Sequence, residues 1–241
     1  MKRIISLLLA VCSVFVLFSC RKATGGASGA GGVGAMLSSN APSRIEVTTT
    51  QTLGANDVVI TSKSTLVTGK YNGKVATIYT YEDEELASVA DGATEIVTPM
   101  IKKTEGKKEY LEDKGIRVDG GKWDEDGEDF APTLGSLTLN VSSKNVNSVT
   151  DKNGVYTCVV PAANTKAVFG EAYDIAYDVS LEVHYYEGFV NKIVMLYTVP
   201  EITKDDLDTN EDLDKDMVGY PEVNFRIEVK YEYGKQSITI E

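Results

Sequence analysis

From Val223 to Tyr233 the chain alternates without a break. Val223, Phe225, Ile227, Val229, Tyr231 and Tyr233 fall on one side of an extended backbone, while Arg226, Glu228, Lys230 and Glu232 fall on the other. A period of two is the signature of a strand, because a helix would scatter these side chains around its circumference. A strand with one apolar and one charged face requires a sheet to pair with and a body to bury that face against.

The same pattern recurs upstream. Val179, Leu181, Val183 and Tyr185 alternate before Glu187-Gly188, and Ile193, Met195, Tyr197 and Val199 alternate after it, which predicts a long hairpin. Lys70-Tyr71-Asn72-Gly73-Lys74 joins two β-rich runs, and Asn-Gly supplies the positive φ values of a type I′ turn. Lys152-Asn153-Gly154 turns the chain into Val155 to Val160, and Leu137, Leu139 and Val141 read as a further strand. Between Glu95 and Trp123 a meander is predicted, with turns at Glu105-Gly106, Lys114-Gly115 and Gly120-Gly121. Helical signals are weak and confined to 82–90, 164–173 and 201–216.

About ten to twelve short strands without a long amphipathic helix place the chain in the mainly β class. The expected architecture is a large antiparallel sheet that curls into a half-barrel with few short helices. A β-sandwich and a closed barrel are the alternatives by which a sheet covers an apolar face.

The amino terminus is of a different kind. Lys2 and Arg3 precede a nearly continuous apolar run from Ile4 to Phe18, too short for an ordinary transmembrane helix, and the run closes on Val16-Leu17-Phe18-Ser19-Cys20. This is a secretion signal. Leu17, Ser19 and Cys20 resemble the lipobox of bacterial lipoproteins, with Phe18 at a less usual position. The resemblance implies cleavage after Ser19, a diacylglyceryl group on the Cys20 sulfur, and anchoring by acyl chains on the outside of the bacterial cytoplasmic membrane or in the outer membrane. Residues 1–19 are then signal peptide. Residues 20–42, rich in Gly, Ala and Ser, read as the lipidated cysteine and a tether, and residues 43–241 as one β-rich extracytoplasmic domain.

Charge limits the partners. Lys2 and Arg3 are two of the 24 basic residues, so the mature chain keeps 22 against 36 acidic ones, a formal −14. Such a surface repels phosphates and excludes nucleic acid as a natural partner. Of three cysteines, Cys12 leaves with the signal, Cys20 is lipidated, and Cys158 is left alone between Thr157 and Val159 as a small buried hydrophobe. Stability must therefore come from a core and not from disulfides.

Catalytic chemistry finds little support. The single histidine, His184, shares the face of Glu182 opposite Val183 and Tyr185, and no Gly-x-Ser-x-Gly elbow accompanies it. One histidine and one internal cysteine do not make a structural zinc site. The chain is accordingly read as non-enzymatic and without a cofactor. Calcium is the one metal whose hard oxygen ligands are plentiful, at Asp124, Asp126 and Asp129 in one acidic stretch and at Asp206, Asp208 and Asp212 in another. Neither stretch matches the EF-hand loop, and solvated acidic loops are the simpler reading.

The order of elements resembles the LolA-like and LppX/LprG-like lipoproteins. It runs through the Asn72-Gly73 hairpin, Gly120-Gly121-Lys122-Trp123, Leu134 to Val141, Gly154-Val155-Tyr156, the Glu187-Gly188 hairpin and Tyr231-Glu232-Tyr233 to Ile238-Thr239-Ile240. That resemblance implies a half-barrel around a hydrophobic cavity for acyl chains. Val223, Phe225, Ile227, Val229, Tyr231, Ile193, Met195 and Tyr197 are the expected cavity face, and a lipid or acyl chain its expected ligand. The alternative is an interaction module of the cell envelope with a filled β core and acidic, calcium-ligating loops. A filled core and a cavity share the same periodicity.

Overall fold

The computed structural model describes residues 32–54, 58–86, 101–111, 115–118, 122–124, 137–203 and 221–238. Eleven strands in these residues form one antiparallel sheet: β1 (Arg44–Leu53), β2 (Val58–Tyr71), β3 (Lys74–Leu86), β4 (Ile101–Leu111), β5 (Gly115–Val118), β6 (Lys122–Asp124), β7 (Asn147–Lys152), β8 (Val155–Val160), β9 (Val179–Tyr186), β10 (Phe189–Val199) and β11 (Val223–Glu232). The order across the sheet is β6-β5-β4-β3-β2-β1-β11-β10-β9-β8-β7. Its two edges, β6 and β7, do not pair with one another, so the sheet is open and curled. Among the described residues it is neither a closed barrel nor a sandwich of two sheets.

Two meanders meet at the centre. The amino-terminal strands run β1 to β6 outward in one direction and β7 to β11 run inward from the other. β11 and β1 zip them together over a register from Arg44↔Glu232 to Leu53↔Val223. The strand with the cleanest alternation is thus the central one. Its burial alternates residue by residue as the sequence predicts, the apolar set inward and the charged set outward.

The inner face of β1 and β8–β11 carries the core. Ile45, Val47, Tyr156, Cys158, Leu181, Val183, Ile193, Met195, Ile227, Val229 and Tyr231 are buried there in one cluster. Three segments of the same chain cover it. The first is a helix, Gly32–Ser39, whose Val33, Met36 and Leu37 meet the core at the i, i+3, i+4 spacing of one helix face. This corrects the expected tether, which gives way to packed structure ten residues before Pro42. The second is residues 137–146, where Leu137, Leu139, Val141 and Val146 are buried. This alternating run is not a strand of the sheet: its amides at Thr138 and Asn140 donate to the carbonyls of Phe169 and Val168 at 3.0 and 2.9 Å. The third is the helical stretch expected near 164–173, a short helix Thr165–Phe169 between single 3-10 turns, which inserts Val168, Phe169, Tyr173 and Ile175. Thr165 anchors it, its hydroxyl donating to the Ile175 carbonyl at 2.7 Å.

Two further expectations are revised. The segment from Glu82 continues β3 as far as Leu86, paired with β4, because strand pairing satisfies its backbone where isolated acidic residues would not hold a helix. Glu105-Gly106 is no turn but lies inside β4, opposite Glu82 and Tyr81. The expected turn at Gly120-Gly121 and Phe130 lie outside the described residues, as does 204–216.

The tight turns fall where the residues dictate. Asn72-Gly73, Asn153-Gly154 and Glu187-Gly188 each show two successive positive φ values, the type I′ geometry whose twist matches the flanking strands. Beyond β11 the tail crosses to the outer face, where Ile238 packs with Ala76 and the Lys70 amide donates to the Gln236 carbonyl. Gly69 permits the crossing, since a Cβ there would lie 2.5 Å from that carbonyl oxygen.

Candidate functional site

All eight residues expected on a cavity face come together on one side of the sheet. Register pairs Ile193 with Val229, Met195 with Ile227 and Tyr197 with Phe225, and Val223 and Tyr231 extend the same face at either end. They divide between two clusters. Ile193, Met195, Ile227, Val229 and Tyr231 belong to the main core beneath the covering segments, while Val223 and Phe225 pack with Leu53 and Ile60 in a smaller one.

Tyr197 joins the two clusters. Its ring stacks on Phe225 at 4.7 Å and 3° and lies nearly parallel to Tyr177 at 6.5 Å and 7°. Such offset stacking adds about 0.5–1.5 kcal/mol per pair beyond buried area. Burial, and then the neighbouring Tyr177, push the Tyr197 hydroxyl above its ordinary value, and burial does the same to Tyr231. The packing partners supplied by Val33, Leu139 and Phe169 were not identified from sequence as belonging to this face. The i, i+3, i+4 triplet Val33, Met36, Leu37, lying inside the stretch read as a tether, is the signal that would have marked the first of them.

One polar irregularity lies within the core. The Tyr156 hydroxyl is buried without a hydrogen-bond partner of regular geometry, and the thiol of Cys158, two residues along the same face, is the group it interacts with. Burial raises both, Tyr156 to about 12 and Cys158 to about 11, which makes this a protonated, unreactive thiol.

Along β1 past Val47 and onward into β2 and β3 the chemistry of the inner face changes. Thr49, Ser62 and Ser64 take positions that are apolar in β10 and β11, and Tyr79 hydrogen-bonds Ser64 at 3.1 Å while its ring stacks with Tyr81 at 5.8 Å. Among the described residues of β2 and β3, Leu66 and Tyr79 reach the main core.

The outer face of the central strands is a ladder of charge. Glu46 pairs with Arg44 at 3.1 Å, Lys63 at 3.4 Å and Lys230 at 3.7 Å, and Glu228 pairs with Arg226 at 2.8 Å and Lys230 at 3.2 Å. Burial works to raise the Glu46 carboxyl, but the Arg44 hydrogen bond and the two lysine charges outweigh it and hold the group below its ordinary value. Glu228 is lowered in the same way by Arg226 and Lys230.

His184 lies where its alternation places it, half-buried beside Glu182, whose carboxylate it contacts. Of the calcium ligands expected from sequence, Asp124 ends β6, while Asp126, Asp129, Asp206, Asp208 and Asp212 lie outside the described residues. Among the described residues no group of three His, Cys, Asp or Glu side chains is placed to hold a metal ion.

No known family model and no curated protein matches this chain. Its function must be read from the residues themselves. What the described side chains provide is a covered apolar core on one side of β1, a hydroxyl- and tyrosine-lined wing on the other, and a paired charge ladder behind both.

Proposed function

We propose that this chain is a lipoprotein held on the outside of a bacterial membrane through acyl chains on Cys20, and that its β body is a non-enzymatic interaction module. The supporting observation is the cover over the inner face. The residues that a carrier would turn toward acyl chains are covered by the chain's own Val33, Leu139, Val168 and Phe169, so the methylene burial that would retain a ligand, about 0.8 kcal/mol per CH2, is already supplied by protein.

The partner-binding element in this reading is the wing of β1–β3, where tyrosines and hydroxyls combine stiff contact area with hydrogen-bonding capacity. Tyr81 and Tyr79 are its anchors. Its partner is another protein of the envelope. The lipid-carrier reading makes the opposite demand, a cover that opens to admit acyl chains.

The test is native mass spectrometry of the mature protein purified from a bacterial envelope, combined with a photo-crosslinking amino acid at position 81 in the living cell. An unliganded mass with a discrete protein adduct at 81 is the expected result. A co-purifying lipid lost on organic extraction, with no adduct at 81, would overturn the interaction reading in favour of a carrier.

A further inference from the structure

The topology gathers three tight turns at one end of the sheet. β2 and β3 join at Asn72-Gly73, β7 and β8 at Asn153-Gly154, and β9 and β10 at Glu187-Gly188, and the registers bring these turns alongside the start of β1 and the end of β11. The β9–β10 turn carries the most conspicuous exposed aromatic pair. Tyr186 is 69% and Phe189 41% exposed, and they face one another across the turn. Tyr233 supports the pair from below, its ring 4.9 Å from Phe189 and its hydroxyl donating to the Val190 carbonyl at 2.6 Å.

The amino-terminal helix ends at this same tip, for the Asn40 side-chain amide donates to the Gly188 carbonyl at 3.1 Å. An eight-residue helix is about 12 Å long, so Gly32 lies within roughly that distance of the tip. Cys20 stands twelve residues before Gly32. Twelve residues reach at most about 40 Å, so an anchor at Cys20 can lie in a membrane that the tip touches.

Charge has the same polarity. Among the described residues, the three turns and the tail expose Lys70, Lys74, Lys152 and Lys235 against Asp151, Glu187 and Glu232, in a mature chain with a formal −14. The opposite end receives Glu84, Glu85, Glu201 and Glu222 against Lys102 and Lys103, which pair across from Glu85 and Glu84.

We propose that the three-turn end is a membrane-docking surface on which Tyr186 and Phe189 enter the headgroup region of an anionic bilayer. An amphipathic tyrosine beside an exposed phenylalanine suits that interface, and flanking lysines meet anionic headgroups while the acidic end points away. The proposal rests on the acyl anchor at Cys20. It goes beyond that anchor by giving the body an orientation, with the β1–β3 wing standing upright from the membrane.

The lipidated full chain, reconstituted in phosphatidylcholine vesicles containing one quarter phosphatidylglycerol, tests this directly. Cysteine labelling is selective, because the Cys20 sulfur is acylated and Cys158 is buried. Nitroxides are placed by Tyr186→Cys and, at the far end, by Glu201→Cys, and oxygen and nickel-chelate accessibilities are compared by power saturation. The expected result is an oxygen-to-nickel ratio several times higher at 186 than at 201, falling when phosphatidylglycerol is replaced by phosphatidylcholine. Equal, water-like ratios at both sites on protein that floats with the vesicles would overturn the docking surface and leave the anchor intact. Protein that fails to float would overturn the anchor and the docking surface together.

Discussion

At the scale of single residues, Tyr156 and Gly34 show how closely this core is specified. An unpaired buried hydroxyl carries a desolvation cost of about 1–3 kcal/mol that no hydrogen bond returns. Tyr156→Phe is therefore expected to raise stability by about 1 kcal/mol, read as an increased urea midpoint at unchanged m value, and a loss would show that the hydroxyl is satisfied in solution. Gly34 is the opposite case. It packs against the Leu139 carbonyl so closely that a Cβ has no room, and the obstructing atoms are backbone, which cannot rotate aside. Gly34→Ala, favourable by helix propensity alone, should instead destabilise by about 1–3 kcal/mol. Comparison with Ala35→Gly on the exposed side of the same helix separates the steric effect from propensity.

At the scale of elements, the charge ladder across β2, β1 and β11 ties acid stability to two carboxylates. Glu46 and Glu228 titrate below their ordinary value of 4.5 in the folded protein. The unfolded chain therefore takes up protons first as pH falls through that value. The ladder's contribution is complete above it and is lost progressively as pH drops toward the folded values. Glu46→Gln should flatten the stability profile in that window while costing about 1 kcal/mol at neutral pH, since it leaves Arg44, Lys63 and Lys230 facing one another across a partly solvated surface. Urea titrations of both proteins between pH 3 and 7 read this, and parallel profiles would show that Glu46 does not carry the effect. The alkaline side has its own limit. Burial raises Tyr156, Tyr231 and Tyr233, so the unfolded chain loses those protons first and stability falls as pH rises past about 10.

At the scale of the whole molecule, the two meanders depend on one seam. β11 is nearly the last element made, yet it lies between β1 and β10 and contributes Ile227, Val229 and Tyr231 to the main core. A chain ending at Tyr220 is expected to lose cooperative unfolding and native amide dispersion altogether, whereas one ending at Glu232 should keep both. Folding in this topology must also wait for contacts between residues almost two hundred positions apart, which makes it slow. Much of the architecture was nonetheless legible. Alternation marked β8 to β11, and Asn-Gly and Glu-Gly pairs marked the turns, because backbone periodicity and positive φ are local demands that a few residues satisfy by themselves. Leu137 to Val141 shows the limit: its alternation was real, but its hydrogen-bond partner proved to be the end of a helical turn and not a strand, a choice made by a segment some thirty residues away. The sequence by itself determined most of the strands, their inward and outward faces and the Asn-Gly and Glu-Gly turns. Only the tertiary structure decided that β11 sits at the centre and that the apolar face is covered by the chain's own helices, because pairing order and burial depend on which distant surfaces meet, and the same alternating side chains serve a ligand or a core equally well.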